Sequence, residues 1–304
     1  MKLNLSGVAF GALMVGLVAA GSAKADSIAY ASLVFNSAFF SQSGSSTPLD
    51  LTSSIDLGSL DVGDTLKNTA ALNGVTASTV ASRNALTPGI DAPLAVEGSY
   101  SGGQNNFGFT GTNTNFARSD SLLTGNLLAG NVSSSVVAET QVVNNNTGNV
   151  STASTSNSQV SFKATSNFTG LVFNVGGALA LYTDLYNSSV NQFADATAAF
   201  SITLTDQETG VAVLSFSPGS LNTGLTDFNT PSSKGSTTAS SFSLTSNSFD
   251  IVGGDTYTLQ INQTVQADAT AVPEPATLGL FGIGLAGIGF LGFRRQKKTG
   301  GLAA

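Results

Sequence analysis

Residues 199–206, AFSITLTD, alternate without a break. Phe200, Ile202 and Leu204 fall on one side of an extended chain, and Ser201, Thr203 and Thr205 on the other. Successive side chains of a strand point to opposite faces, so a period of two predicts a half-buried β-strand. The turn-type cluster DQETG follows. VAVLSFSP then resumes the pattern with Ala212, Leu214 and Phe216 on one face, which predicts a hairpin. DTYTLQINQTVQAD alternates for longer, with Tyr257, Leu259, Ile261 and Val265 against Thr258, Gln260, Asn262, Thr264 and Gln266. SIAYASLVF, QVSFKATSNF and FSLTSNSF read the same way. LVFNVGGALALY is more continuously apolar, as a central strand with a bulge at Gly176-Gly177 would be. Helical spacing is scarce, and TLKNTAALNGVTASTVASRNAL is the stretch that could hold a short helix. SGGQNNFGFTGTNTNF and NNNTGNVSTASTSNS are polar and low in complexity, and read as loops or long hairpin tips. Many strands between turn-rich spacers predict an all-β fold over residues 26–271, an antiparallel β-sandwich or jelly roll. No shift in composition marks a second domain.

Composition narrows the chemistry. Charged residues make up 10 % of the 304, well under the ~25 % usual for soluble domains. There is no His, Cys or Trp. The commonest general base, the commonest metal ligand, the thiol nucleophile and the disulfide framework are therefore all excluded. Between Asp26 and Val272 there are 17 acidic and 5 basic residues, a charge of −12. Such a surface repels nucleic acid, which demands clustered Lys and Arg. Carboxylates remain as candidates for catalysis, and a glycosidase would need two of them. Asp206 and Glu208 are close in sequence but fall at the expected hairpin tip. Exposure there denies either of them the raised pKa of an acid catalyst. No residue is assigned as catalytic and none as a metal ligand. No cofactor is expected. Weak Ca²⁺ binding by the acidic turns TDQETG and IVGGDTY is the one ion chemistry left open, since Ca²⁺ takes oxygen ligands. The absence of Trp, a broad platform for sugar stacking, counts against a lectin.

The two ends carry addresses. Lys2 precedes an apolar run of 13 residues, Val8 to Ala20, too short to span a bilayer. Ala23-Lys24-Ala25 then fits the A-x-A pattern of signal-peptide cleavage, at Ala23 and Ala25, so that residues 1–25 are a signal peptide and the mature chain begins at Asp26. At the other end, VPEP is followed by 18 uncharged residues, Ala276 to Phe293. As a helix these would measure about 27 Å, enough to cross a hydrocarbon core. Arg294, Arg295, Lys297 and Lys298 follow as a positive-inside stop. Pro275 cannot lie inside a helix and drives Glu274 into an extended form, so VPEP is a stiff peptide held just outside the membrane.

The order of VPEP, a Gly-rich span and RRQKK at the chain's end resembles the PEP-CTERM sorting signal of Gram-negative bacteria. The resemblance covers residues 272–304, with the span as a transmembrane helix at 276–293. It implies an exosortase, a membrane-embedded cysteine transpeptidase, as processing partner. Pro273, Glu274 and Pro275 would be its recognition residues. It further implies transient residence in the inner membrane, removal of the tail and delivery to the cell surface or the extracellular matrix. The function this implies is that of a non-enzymatic surface protein, associated with exopolysaccharide and biofilm. The alternative is a secreted carbohydrate-binding module or a carboxylate-only glycan-active enzyme.

Overall fold

A computed structural model describes residues 25–57, 62–84, 89–92, 94–96, 114–143, 148–185, 191–228 and 236–272. Among them the regular structure is all-β apart from two short 3-10 turns. In chain order the strands are β1 (Ala25–Gln42), β2 (Ile55–Asp56), β3 (Val62–Leu72), β4 (Val75–Arg83), β5 (Ile90–Asp91), β6 (Leu94–Val96), β7 (Phe116–Thr124) and β8 (Val132–Val143). There follow β9 (Gly148–Ala164), β10 (Phe168–Leu185), β11 (Asn191–Asp206), β12 (Ala212–Phe216), β13 (Thr223–Phe228), β14 (Ser236–Thr245), β15 (Phe249–Ile251) and β16 (Thr256–Val272).

They form two antiparallel sheets. The first runs β14-β10-β1-β8-β7-β5, with β15 beside β10 and β6 beside β7. The second runs β12-β11-β16-β9-β3-β4, with β13 beside β11 and β2 beside β9. The sheets lie face to face around one core. Ala29, Ala31, Leu33 and Phe35 of β1 meet Phe200, Ile202 and Leu204 of β11 in it. Phe200 takes Phe35 edge-on at 4.9 Å and stacks on Phe173 at 6.4 Å. Such ring pairs add about 0.5–1.5 kcal/mol beyond the area they bury. The alternation of β11 and β16 thus resolves as expected, with one face in the core. Gln263 also points inward. Its Nε2 donates to Leu33 O at 2.6 Å and its Oε1 accepts from Ser134 Oγ at 2.6 Å, which ties β16 to β1 and β8 across the core.

Three expectations are corrected. The stretch 65–86 holds no helix in its described part. It is the β3–β4 hairpin, turned at Asn73 (φ 50°) and Gly74 (φ 84°). Two positive φ values in succession make the primed turn that matches strand twist, and Asn-Gly is its favoured pair. The polar stretch 144–158, expected as a loop or tip, is in its described part, from Gly148 onward, β9, a central strand. Its inward positions are Thr152, Ser154 and Ser156, all buried, and Ser154 Oγ donates to Asp120 O at 2.7 Å. Small hydroxyls fill narrow space between sheets once they are bonded, so a buried face need not look apolar. The bulge of the central strand belongs to the partner strand. Phe35 faces Gly177 and Ser37 faces Gly176, so β1 carries the extra residue, Asn36.

Among the described residues no helix is long and apolar enough to cross a membrane. Residues 1–24 of the expected signal peptide and the expected span at 276–293 lie outside the described residues.

Candidate functional site

Pro273, Glu274, Pro275, Arg294, Arg295, Lys297, Lys298 and Ala23 also lie outside the described residues. Ala25 and Val272, where the chain enters and leaves the folded body, are within them. β16 is a central strand, and its ladder runs to its last residue: Ala271 faces Gly148 of β9 and Gln192 of β11, and Val272 faces Asn191. The next residue, Pro273, has no N–H to offer either neighbour. Val272, the first residue of the VPEP box, is thus itself the last residue of β16, with no linker between strand and box. Ala271 is buried with Leu72, Ala117, Val142 and Val150 in a small cluster that closes this end of the body.

The start of the folded chain lies at the same end. Ala25 faces Val143 of β8, and Ser27 faces Leu185 of β10. Ser27 Oγ donates to Phe193 O at 2.6 Å, a bond from the first sheet to the second. Phe193 faces Thr270 of β16. One hydroxyl thus ties the start of β1 to the strands that flank the VPEP box.

The opposite end gathers the acidic turns. Asp206 is buried while Glu208 is exposed, which corrects the expectation that both are exposed at the tip. Burial alone would push the Asp206 carboxyl up. The N–H of Glu208 at 2.8 Å and the hydroxyl and N–H of Thr209 outweigh it, and the pKa is lowered. Asp206 holds the turn together, with both oxygens engaged. Among the described residues no three acidic side chains gather as a metal site would require.

Two constellations had no signal in the sequence, because their members are far apart along it. Asp195 and Asp268 face each other on β11 and β16. Burial and the neighbouring Asp195 charge raise the pKa of Asp268, against hydrogen bonds from Ser151 and Gln266, the latter at 2.6 Å. The hydroxyl of Thr226 bonds to Asp195. This pair lies on the face of the second sheet turned away from the core. The second constellation lies on the outward face of the first sheet, where Arg118 pairs with Glu139 and sits 4.2 Å above the Phe116 ring. Glu139 is 2 % exposed, and burial pushes its carboxyl up to about 7 despite the Arg118 charge. Burial likewise pushes the Tyr30 hydroxyl, on the neighbouring strand, up to about 12.

Between the sheets is a cavity of about 40 Å³, bounded by Leu123, Val160, Phe173, Phe200 and Gln263. The Arg83–Asp64 ion pair, at 2.8 Å, stands beside it. That volume admits about three waters. Small-molecule sites measure about 300–1,000 Å³. The cavity is a packing defect beside a buried ion pair, too small to be a ligand pocket.

Residues 271–296 match the family model described as the PEP-CTERM protein-sorting motif. The match begins at Ala271, inside β16, and takes in the VPEP box, the uncharged span and the first two cations. No curated protein and no solved structure matches the chain.

Proposed function

We propose, from the PEP-CTERM protein-sorting motif that the chain carries at residues 271–296, that it is an exported, non-enzymatic protein of the cell surface or extracellular matrix. A signal peptide of residues 1–25 starts its export. An exosortase recognises Pro273, Glu274 and Pro275 and removes the tail, and a β-sandwich ectodomain is delivered outside. The observation that carries this reading is the motif itself, which begins in the last two residues of β16. Association with exopolysaccharide belongs to the same reading. An acidic, Ser- and Thr-rich surface suits a hydrated matrix, and the lack of His and Cys leaves little for catalysis. No cofactor takes part in this role.

Glu274→Ala, tested beside deletion of the exosortase, checks the sorting step. Both changes should leave a longer chain in the membrane, visible as residues 276–304 in the intact mass. Maturation to the same mass in either strain overturns sorting through VPEP. A glycan array and a reducing-sugar assay on residues 26–272 check the rest. Hydrolysis lost on Asp268→Asn would replace the structural reading with a carboxylate-only enzyme.

A further inference from the structure

The sorting motif and the signal-peptide site are at opposite ends of the sequence, yet the folded body presents both at one end. Four observations bear on how that body stands while still attached. β16 keeps its ladder to Val272, so no flexible segment precedes the box. Ala276 is four residues beyond Val272, at most about 14 Å of extended chain. Two prolines stiffen that stretch and there is no glycine in it. Ser27, two residues after Ala25, is bonded across to Phe193 at the same end.

We propose that the membrane-attached precursor stands on the bilayer by the end where β1 begins and β16 ends, with its strands running away from the membrane. This rests on the reading of residues 276–293 as a membrane span. Each headgroup layer is about 5–8 Å deep. A tether of about 14 Å therefore holds the near end of the body within roughly 10 Å of the lipid surface. The partner of this end is the bilayer surface. Contact is imposed by the tether and not by charge attraction, since Asp184, Asp195, Asp227 and Asp268 all lie towards the near end. β16 has 17 residues, so the far end stands about 55 Å away. The turns at Asp206–Gly210 and Val252–Asp255 face outward there. The signal peptidase and the exosortase would both work at the near end, and the far end is free for other partners throughout.

The chain has no Cys, so single labels can be placed cleanly. Val75→Cys marks the near end, where Val75 is 67 % exposed, and Glu208→Cys marks the far end. Val75 is level with Ala269 and Glu208 lies just beyond Tyr257, about 40 Å further from the membrane. The full chain, labelled with a donor dye, is reconstituted in phosphatidylcholine vesicles carrying an acceptor at the headgroup. Energy transfer should be several-fold greater from residue 75 than from residue 208. A twelve-residue Gly/Ser insertion after Val272 should erase most of the difference. Equal or reversed transfer from protein that floats with the vesicles overturns the orientation and leaves the span reading intact. A difference that survives the insertion overturns the tether as its cause. Failure to float overturns the span and the orientation together.

Discussion

Asn222 completes a sheet with its side chain. β12 and β13 lie end to end along one edge of β11, and Phe200 falls in the gap between them. The Asn222 amide closes it: Phe200 N–H donates to Asn222 Oδ1 at 3.1 Å, and Asn222 Nδ2 donates to Phe200 O at 3.0 Å. Asn222→Ala should lower stability by about 1–3 kcal/mol, the cost of leaving part-buried backbone groups unpaired. Asn222→Asp keeps the acceptor and loses the donor, so a denaturant titration should place it between the two. Glu139 gives a pH signature. Its pKa is raised from 4.5 to about 7 in the folded protein, so the native state holds this proton more tightly than the unfolded chain does. The associated stability is full below about pH 4.5 and is lost as pH rises through about 7. Urea midpoints should fall between pH 5 and pH 8, and Glu139→Gln should flatten that slope. An unchanged slope would mean that the Arg118 charge fully offsets burial and that the pKa of Glu139 is not raised on folding.

At the scale of elements, the β1–β10 pair is demanding. A Cβ on Gly177 would come within 1.9 Å of Val34 O, so the two central strands approach too closely there for any side chain. Gly177→Ala should destabilise by about 3 kcal/mol or more, since backbone must move. Gly63→Ala in β3, where a Cβ would meet nothing within 4 Å, is the matched control and should be near neutral in thermal melts. These elements were unequally legible. β11, β12 and β16 announce themselves through Phe200, Leu214 and Leu259, whose spacing matches the buried face. The second half of β9 does so too, through Val160 and Phe162, but its first half does not, because Thr152, Ser154 and Ser156 fill inward positions there. Hydropathy periods detect apolar faces and miss faces that are buried through hydrogen bonds. β3 and β4 were obscured by Ala-rich spacing that suits a helix as well as a strand, and the Asn73-Gly74 turn was the stronger clue.

For the whole molecule, the first and the last described strands are both part of the body's centre. β1 and β16 are central strands of the two sheets, and both fall within residues 25–272. Residues 26–272 should therefore unfold in one cooperative transition by circular dichroism. Residues 26–264 should not, since they lack the buried Val265, Ala267, Ala269 and Ala271 and the end of the ladder to both neighbours. A cooperative transition in the shorter chain would show that the near end is dispensable.

The sequence by itself determined the class of fold, the chemistry excluded by missing His and Cys, and the sorting motif after Val272. Each is local or compositional: a period of two tells which side of a strand a residue occupies, and a motif is read along the chain. The tertiary structure alone decided that Ser27 reaches Phe193, that Asp195 faces Asp268, that Arg118 meets Glu139 and that β1 begins and β16 ends at one end of the body. A face assignment does not say which strand lies alongside. Strand order and register come from packing all sixteen described strands at once, through contacts between residues distant in sequence, and no local pattern encodes them.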